Sequence, residues 1–515
     1  MGKRRIGFYS VDLTVDEDGK PHLIEINGSY SGFDGFLIAY NDTAIQDKIN
    51  SAFEELIGDR RVFVITGLAT FGELPEGYLD KLVQDLLFFR STDNIHLMLR
   101  HGTTGRMWAR MRSDRPPSTV GAGTSLDKLV ELYPRFRKAI LNVADPRYVI
   151  PAEYFNEEHN RGVISLKKGI LNSVQAVELE DEDVIWIKCP TVAFSEPIAK
   201  GIQVNPEFPY DAVADNKWFT YDILCPQFPE QIPISIPIGM RCSGSLMLAD
   251  MLSRSGSELF IHKPLLGAQA RGLAILRRKD VEDYRGRIAA RERADSEDAQ
   301  ELPLELRGVP ELHAAWALSF ELSLLSELTP SKAVYCRWTG RYHFGCMRAI
   351  VLVEQDEKES VDVRFLGAYW RLAPVPTDGD GLLWERYVAS QSQGAFCEKV
   401  SSDDIATAEK FSKDVLSAYY RKLSLMPIER QNYMDWEKNY WLARWREQVP
   451  LLQNERPWNI LLAEISSAQN EALKTRQSAK SAGFRRKPSV LLSDEQIVRA
   501  KLPHLIEEPQ RIVVP

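Results

Sequence analysis

Val11-Asp12-Leu13, Asp16-Glu17-Asp18-Gly19-Lys20-Pro21 and Ile24-Glu25-Ile26-Asn27 are the stretch on which the fold turns. The middle segment has the composition of a tight hairpin turn, so its flanks read as two antiparallel strands. Pairing them places Asp12 beside the Glu25 end. The two-residue period of a strand puts Glu25 and Asn27 on one face. Three hard oxygen donors then converge, as Mg²⁺ with bound phosphates requires. Leu23, Ile24 and Ile26 flank the acid and the amide, so both enter a buried sheet, where an unpaired charge is costly and favours a neutralising ligand.

Composition sets the outer bounds. A chain of 515 residues has room for two or three domains with sizeable cores. It is 44% hydrophobic and 26% charged, ordinary values for a soluble globular protein. A formal charge of -8 argues against nucleic acid as the principal partner. Cys189, Cys225, Cys242, Cys336, Cys346 and Cys397 contain no CxxC pair, which disfavours a zinc site or a disulfide framework and suggests a reducing compartment. The basic start, Met1-Gly2-Lys3-Arg4-Arg5, lacks an apolar signal core, and no stretch is long and apolar enough to span a bilayer. The expectation is a cytoplasmic protein without a membrane partner.

Downstream of the hairpin, residues 41–56 show helical spacing, and Arg61–Gly67 reads as a buried strand running into a glycine loop. Helices at 76–89 and 126–143 and the strand Val184–Ile187 continue the alternation, which predicts a parallel-sheet α/β domain over 58–210. Residues 101–125 read as a surface loop or an arginine-lined flap. Further strands are expected at Leu259–Pro264, Leu273–Leu276, Met347–Val353 and Val361–Tyr369. An amphipathic helix is expected at Asp403–Tyr420, and 285–300 is a dense charge run. Beyond Leu425 come Trp-rich helical stretches, in which Trp436, Trp441 and Trp445 are expected to pack the tail onto the body. A polar, basic passage at 474–487 is expected to be disordered.

The chain has no GxxxxGK[ST], GxSxG or HExxH, and Gly67-Leu68-Ala69-Thr70-Phe71-Gly72 lacks the dinucleotide fingerprint.

Lys263-Pro264 at the end of a strand, the glycine-bounded loop 267–272 and the returning strand resemble the phosphate-covering hairpin of the ATP-grasp ligases. The resemblance implies that Lys263 reaches nucleotide phosphates while Gly267 and Gly272 bound the flap. Asp215-Asn216-Lys217 resembles the family's Asp-Lys segment and so makes Lys217 a phosphate contact, with Asn216 standing where the family has Asp. Glu327 falls where a hinge acid contacts adenosine, although Glu321 lies nearby. Arg348 and Arg371 match strand arginines that stabilise the transferring phosphoryl group and the acyl phosphate. Asp12, Glu25 and Asn27 match the metal-binding acid and Glu-x-Asn pair. Ser29, Ser31 and Gly32 border the implied acceptor pocket, or a plain turn. His343 is either a substrate contact or a structural loop histidine.

In the family the metal hairpin follows the arginine strands, and here it comes first. The expected fold is therefore α/β, with α+β character in the grasp part: a circularly permuted ATP-grasp fold. Its expected parts are 1–57 (permuted metal hairpin), 58–210 (Rossmann-like pre-ATP-grasp domain), 211–424 (nucleotide-binding subdomains) and 425–515 (helical extension). The resemblance implies ATP and Mg²⁺ as cofactors. It implies a carboxylate–amine ligase that works through an acyl phosphate on small-molecule substrates such as an amino acid or peptide. The alternatives are a non-catalytic ATP-binding sensor or scaffold and a phosphotransferase on the same fold, and a homodimer is left open.

Overall fold

The computed structural model describes residues 5–28, 35, 39–40, 48, 51–52, 54–55, 57–67, 95–101, 149–151, 163–168, 173–178, 180–187, 201–204, 209–214, 216–239, 251–264, 273–281, 322–356, 360–390, 394–428, 433–448, 450–456, 458–463 and 466. Its strands are β1 Arg5–Val15, β2 Pro21–Asn27, β3 Val62–Gly67, β4 Ile95–His101, β5 Val149–Pro151, β6 Val163–Lys168, β7 Ser173–Glu178, β8 Val184–Ile187, β9 Ile202–Val204, β10 Ser235–Gly239, β11 Leu259–Pro264, β12 Ala274–Arg277, β13 Leu322–Glu327, β14 Val334–Cys336, β15 Arg341–His343, β16 Gly345–Gln355, β17 Val361–Leu372 and β18 Phe396–Glu398. The helices that concern the site are α1 Tyr210–Ala214, α2 Lys217–Leu224, α3 Leu383–Tyr387, α4 Ser402–Ser424 and α5 Tyr433–Gln448.

The opening hairpin forms as its composition predicts. Asp16 closes the turn by accepting from Asp18 N and Lys20 N through Oδ1, and Gly19 supplies the positive φ of 78°. Both arms are longer than the sequence pattern alone delimits, because partners extend the ladder. β1 lies against β16 from Arg5 to Leu13, antiparallel, with Asp12 opposite Arg348. Its other edge carries β2 from Ser10 to Val15 and the parallel strand β9 at Ile6. β1 is thus the strand where two kinds of sheet meet. On one side run the antiparallel strands β16, β17 and β18, and on the other the parallel series β9, β8, β3, β4 and β5.

A separate antiparallel sheet has the order β10-β13-β11-β12 and carries Lys263 on an inner strand, β11. The expected strands at 259–264 and 361–369 are present; Met347–Val353 proves to be the middle of a longer strand, and the strand that starts at Val361 runs on past Tyr369 to Leu372. The helices expected at 76–89 and 126–143, the loop at 101–125, the charge run at 285–300 and the passage at 474–487 lie outside the described residues.

Strand alternation divides the labour of the central strands. Tyr9, Val11, Leu13, Met347, Ala349, Val351, Ala368, Trp370 and Leu372 join one hydrophobic core. That core is shared with Phe411, Val415, Leu416, Tyr419, Tyr420 and Leu423 of α4, and each fully buried large side chain contributes about 1.5–3 kcal/mol. α4 starts on its N-cap Ser401, whose side chain accepts from Asp404 N, and Asp403 and Asp404 lie in its first turn. The residues between the core positions, Asp12, Cys346, Arg348, Tyr369 and Arg371, belong to the opposite face.

α5 packs on α2. Trp445 meets Trp218 edge-on at 5.5 Å between centroids, and Trp436 and Tyr440 lie against Phe219 at 5.6 and 4.6 Å. The expectation that the Trp-rich tail packs onto the body holds for Trp436 and Trp445, whereas the side chain of Trp441 is outside the described set. No helix among the described residues is long and apolar enough to cross a membrane.

Candidate functional site

Asp12 is the centre of the site and is fully buried. Arg348 holds it through two parallel bonds, Nε to Oδ1 at 2.8 Å and Nη2 to Oδ2 at 2.7 Å, the fork geometry that suits a carboxylate. Arg371 Nη2 stands 2.7 Å from the same Oδ2, and Asn27 Nδ2 donates to it at 3.2 Å. Burial alone would keep Asp12 protonated, but the two guanidinium groups outweigh it and hold the carboxyl well below the usual carboxylate range. The same ion pairs raise both arginines against the opposing effect of burial.

β2 supplies the second acid. Its register sets Asp12 opposite Glu25 and Ser10 opposite Asn27, so Asp12, Glu25 and Asn27 share one face as their spacing predicts. Asn27 Nδ2 also donates to Glu25 Oε1 at 3.3 Å. Lys217 Nζ approaches Glu25 Oε2 at 3.8 Å from the first turn of α2. The replacement at 216 is explained locally: Asn216 is the N-cap of α2 and accepts from Phe219 N at 3.0 Å, a task Asn performs as well as Asp.

Lys263 reaches the cluster from β11. It is 4% exposed, its Nζ donates to the Tyr221 hydroxyl at 2.7 Å, and the ammonium lies 4.9 Å from the Tyr221 ring centroid. Burial and the nearby Lys217 push its pKa down to about 7, with Glu25 acting in the other direction. Four basic side chains, Lys217, Lys263, Arg348 and Arg371, therefore surround two carboxylates, Asp12 and Glu25. Arg371 Nε is buried without a hydrogen-bond partner among the described residues. Surplus cationic groups and a buried unused donor are features that an anion can satisfy.

Two members were not singled out in the sequence. Tyr221 sits one turn after Lys217 on the same helix, a spacing that signals a shared face. Cys346 lies two residues before Arg348, which in a strand also means one face, and its Sγ is 2.8 Å from Arg371 Nη2. Burial pushes that thiol up to about 11, so it stays protonated near neutrality.

Two residues expected at the site have other engagements. His343 is buried with both ring nitrogens committed, Nδ1 to Ala373 O at 2.8 Å and Nε2 to the Thr339 hydroxyl at 2.7 Å. Both bonds are internal to the protein, and none of its described contacts reaches the cluster. Glu327 ends β13 and accepts from Ile234 N at 3.3 Å and from the Ser255 hydroxyl at 2.5 Å. Ser29, Ser31 and Gly32, and Gly267 and Gly272 of the flap, lie outside the described residues. Among the described residues no group of three or more His, Cys, Asp or Glu side chains is arranged to hold a metal ion.

No protein-family model matches the chain, and no curated protein matches it. Among solved structures it superposes on a candidate gamma-glutamylcysteine synthetase from Methylobacillus flagellatus with a TM-score of 0.38 and 12% identity, covering 81% of this chain and 89% of that one. It superposes on the VanG D-Ala:D-Ser ligase of Enterococcus faecalis with a TM-score of 0.35 and 10% identity, covering 71% and 83% respectively. The carboxyaminoimidazole ribonucleotide synthase of Aspergillus clavatus, determined with ATP, gives a TM-score of 0.24 and 8% identity, covering 70% and 99%.

Proposed function

We propose that this chain is an ATP-dependent carboxylate–amine ligase on a circularly permuted ATP-grasp fold. The observation that carries the reading is the meeting of Lys217, Lys263, Arg348 and Arg371 around Asp12 and Glu25, drawn from α2, β11, β16, β17, β1 and β2. The proposed parts are the hairpin unit 1–57, a Rossmann-like pre-ATP-grasp domain at 58–210 built on the parallel strands, nucleotide-binding subdomains at 211–424 and the helical extension 425–515. Permutation is supported by the place of β1, which pairs with β16 across 336 residues of chain at Asp12 and Arg348.

The residues fit a metal-bound nucleotide in their chemistry. Asp12, Glu25 and Asn27 offer hard oxygens of the kind Mg²⁺ takes, and the surrounding cations suit phosphates. Asp12 Oδ2 is now filled by Arg348, Arg371 and Asn27, whereas the Glu25 carboxylate is part-exposed and meets Lys217 only at 3.8 Å. Phosphate oxygens would take over the arginine bonds that Asp12 now receives. Bound there, Mg²⁺ would neutralise charge that develops on the phosphates.

Lys217 and Lys263 would draw the phosphates into the cleft and leave the γ-phosphorus open to a substrate carboxylate. The carboxylate oxygen attacks that phosphorus and ADP leaves. The amine then attacks the acyl carbon and phosphate departs, with Arg348 and Arg371 stabilising the oxyanion between these events. No side-chain nucleophile takes part, and Cys346, held as a thiol, is consistent with that. The acyl donor and acceptor are proposed to be small molecules of amino-acid or peptide type.

The test is ADP release on a panel of carboxylates paired with amines, together with ATP binding with and without Mg²⁺ in the native chain and in Glu25→Ala. Mg²⁺-dependent binding that disappears in the variant supports the site. Unchanged binding would refute it, and a full panel without ADP above background would refute the ligase reaction.

A further inference from the structure

The register between β1 and β2 skips one residue. Asp12 pairs with Glu25 and Leu13 with Leu23, so Ile24 is the extra residue of a bulge. Its carbonyl is taken up by the Tyr221 hydroxyl at 2.5 Å. A carbonyl can only accept, so the hydroxyl proton points to Ile24 and its lone pairs face Lys263 Nζ at 2.7 Å. Burial and the nearby Glu25 charge keep the phenol protonated, so this direction does not reverse near neutrality. One hydroxyl therefore joins three elements: the helix that begins at Lys217, the strand that carries Lys263 and the strand that carries Glu25 and Asn27.

We propose that Tyr221 is a positioning residue that sets Lys263 against the Glu25 strand and so fixes the four-stranded sheet relative to the central one. This rests on the reading of the cluster as a nucleotide-phosphate site. A phenylalanine would keep the ring and its packing while removing both bonds. The bulge gives the hydroxyl its anchor: an Ile24 carbonyl held by its neighbour strand would leave nothing to orient the phenol. Charged groups near Lys263 are Lys217 on α2 and Glu25 on β2, while β13 presents Leu324 opposite it.

The experiment is calorimetric binding of ADP with Mg²⁺ to the full chain, its Y221F, K263M and doubly substituted forms, followed through the neutral pH range. Y221F is expected to weaken binding about tenfold, the ratio matching one hydrogen bond to a charged group. It also moves the midpoint of the pH profile to lower pH, because the ammonium loses an acceptor that favours its charged form. The double variant binds no more weakly than K263M, since Tyr221 acts through the lysine. Binding of Y221F within twofold of the native chain at an unchanged midpoint, or full additivity of the two substitutions, would overturn the proposal. In the native chain, ¹³C-lysine NMR should show a Lys263 ε-CH₂ signal displaced upfield by the Tyr221 ring and altered by ADP. A Lys263 signal at the position of solvent lysines would overturn it without any variant at 221. Failure of the native chain to bind ADP would instead refute the phosphate-site reading.

Discussion

Arg444 grips Asp222 on the outer side of the helix that begins at Lys217, with Nε 3.1 Å from Oδ2 and Nη2 3.1 Å from Oδ1. Tyr440 donates to the same Oδ2 at 3.1 Å. α5 is therefore fastened to α2 by a charge pair as well as by its aromatic face. Arg444→Ala is expected to cost about 1–3 kcal/mol in urea unfolding, because it removes a charged partner that makes two bonds to the buried Asp222 carboxylate. It should also weaken ADP binding through Lys217, which calorimetry on the same variant would read.

Asp12→Ala removes the counter-charge of two buried arginines and is expected to destabilise the protein by about 3–5 kcal/mol, measured by denaturant unfolding. The pH dependence has a defined sign. Burial opposes ionisation of Asp12, the arginines overcome it, and the folded carboxyl lies below its unfolded value. Its stabilising contribution is complete above the ordinary carboxylate pKa of about 4 and is lost as pH falls toward the depressed folded value. Unfolding midpoints should drop on the acid side in the native chain and lose that part of their slope in the variant.

Lys263 gives a slope of the same sign on the alkaline side. Its folded pKa of about 7 lies below the unfolded value, so between the two the unfolded chain binds the extra proton. Stability from this group should rise with pH from near neutrality toward about 10 and level off beyond it. Lys263→Met should abolish that rise, seen as a flatter melting-temperature profile. Nucleotide binding should run the other way and strengthen as pH falls through the folded pKa, since the charged lysine attracts phosphate.

Gly7 lies on β1 where a methyl group would run into the Tyr9 ring and the Tyr420 hydroxyl. Those two tyrosines are joined by a 2.9 Å hydrogen bond, and Tyr420 stacks on Tyr210 at 4.0 Å. Gly7→Ala should therefore cost about 1–3 kcal/mol by overpacking, with α4 displaced from β1. Thermal unfolding reads the loss, and a change below a few tenths of a kcal/mol would show that the tyrosines give way freely.

What the sequence revealed was mostly local. The Asp12 and Glu25 pairing could be read because turn chemistry and strand period act over a few residues. The strands at 259–264 and 347–353 were visible as apolar runs. The arginine fork on Asp12 was hidden, since Arg348 stands 336 positions away and nothing local marks that partnership. His343 could be read two ways because a loop histidine looks the same whether its nitrogens face a ligand or, as here, Ala373 and Thr339. The bulge at Ile24 and the role of Tyr221 depend on tertiary register, which composition does not encode. The Asn at 216 looked like a departure and became an ordinary helix cap once its place was known.

The seam at β1 has a kinetic meaning. At synthesis rates of about 5–20 residues per second, the 336 residues between Asp12 and Arg348 take roughly 17–67 s to emerge. Throughout that interval a long apolar strand exists without the neighbour that covers it and an acid without its arginines. Folding of this sheet thus waits on one of the longest loop closures in the chain, a high-contact-order step expected to be slow and exposed to aggregation. The short, charged turn at Asp16–Lys20, which lets β2 cover one edge at once, is the protection available to β1 while it waits.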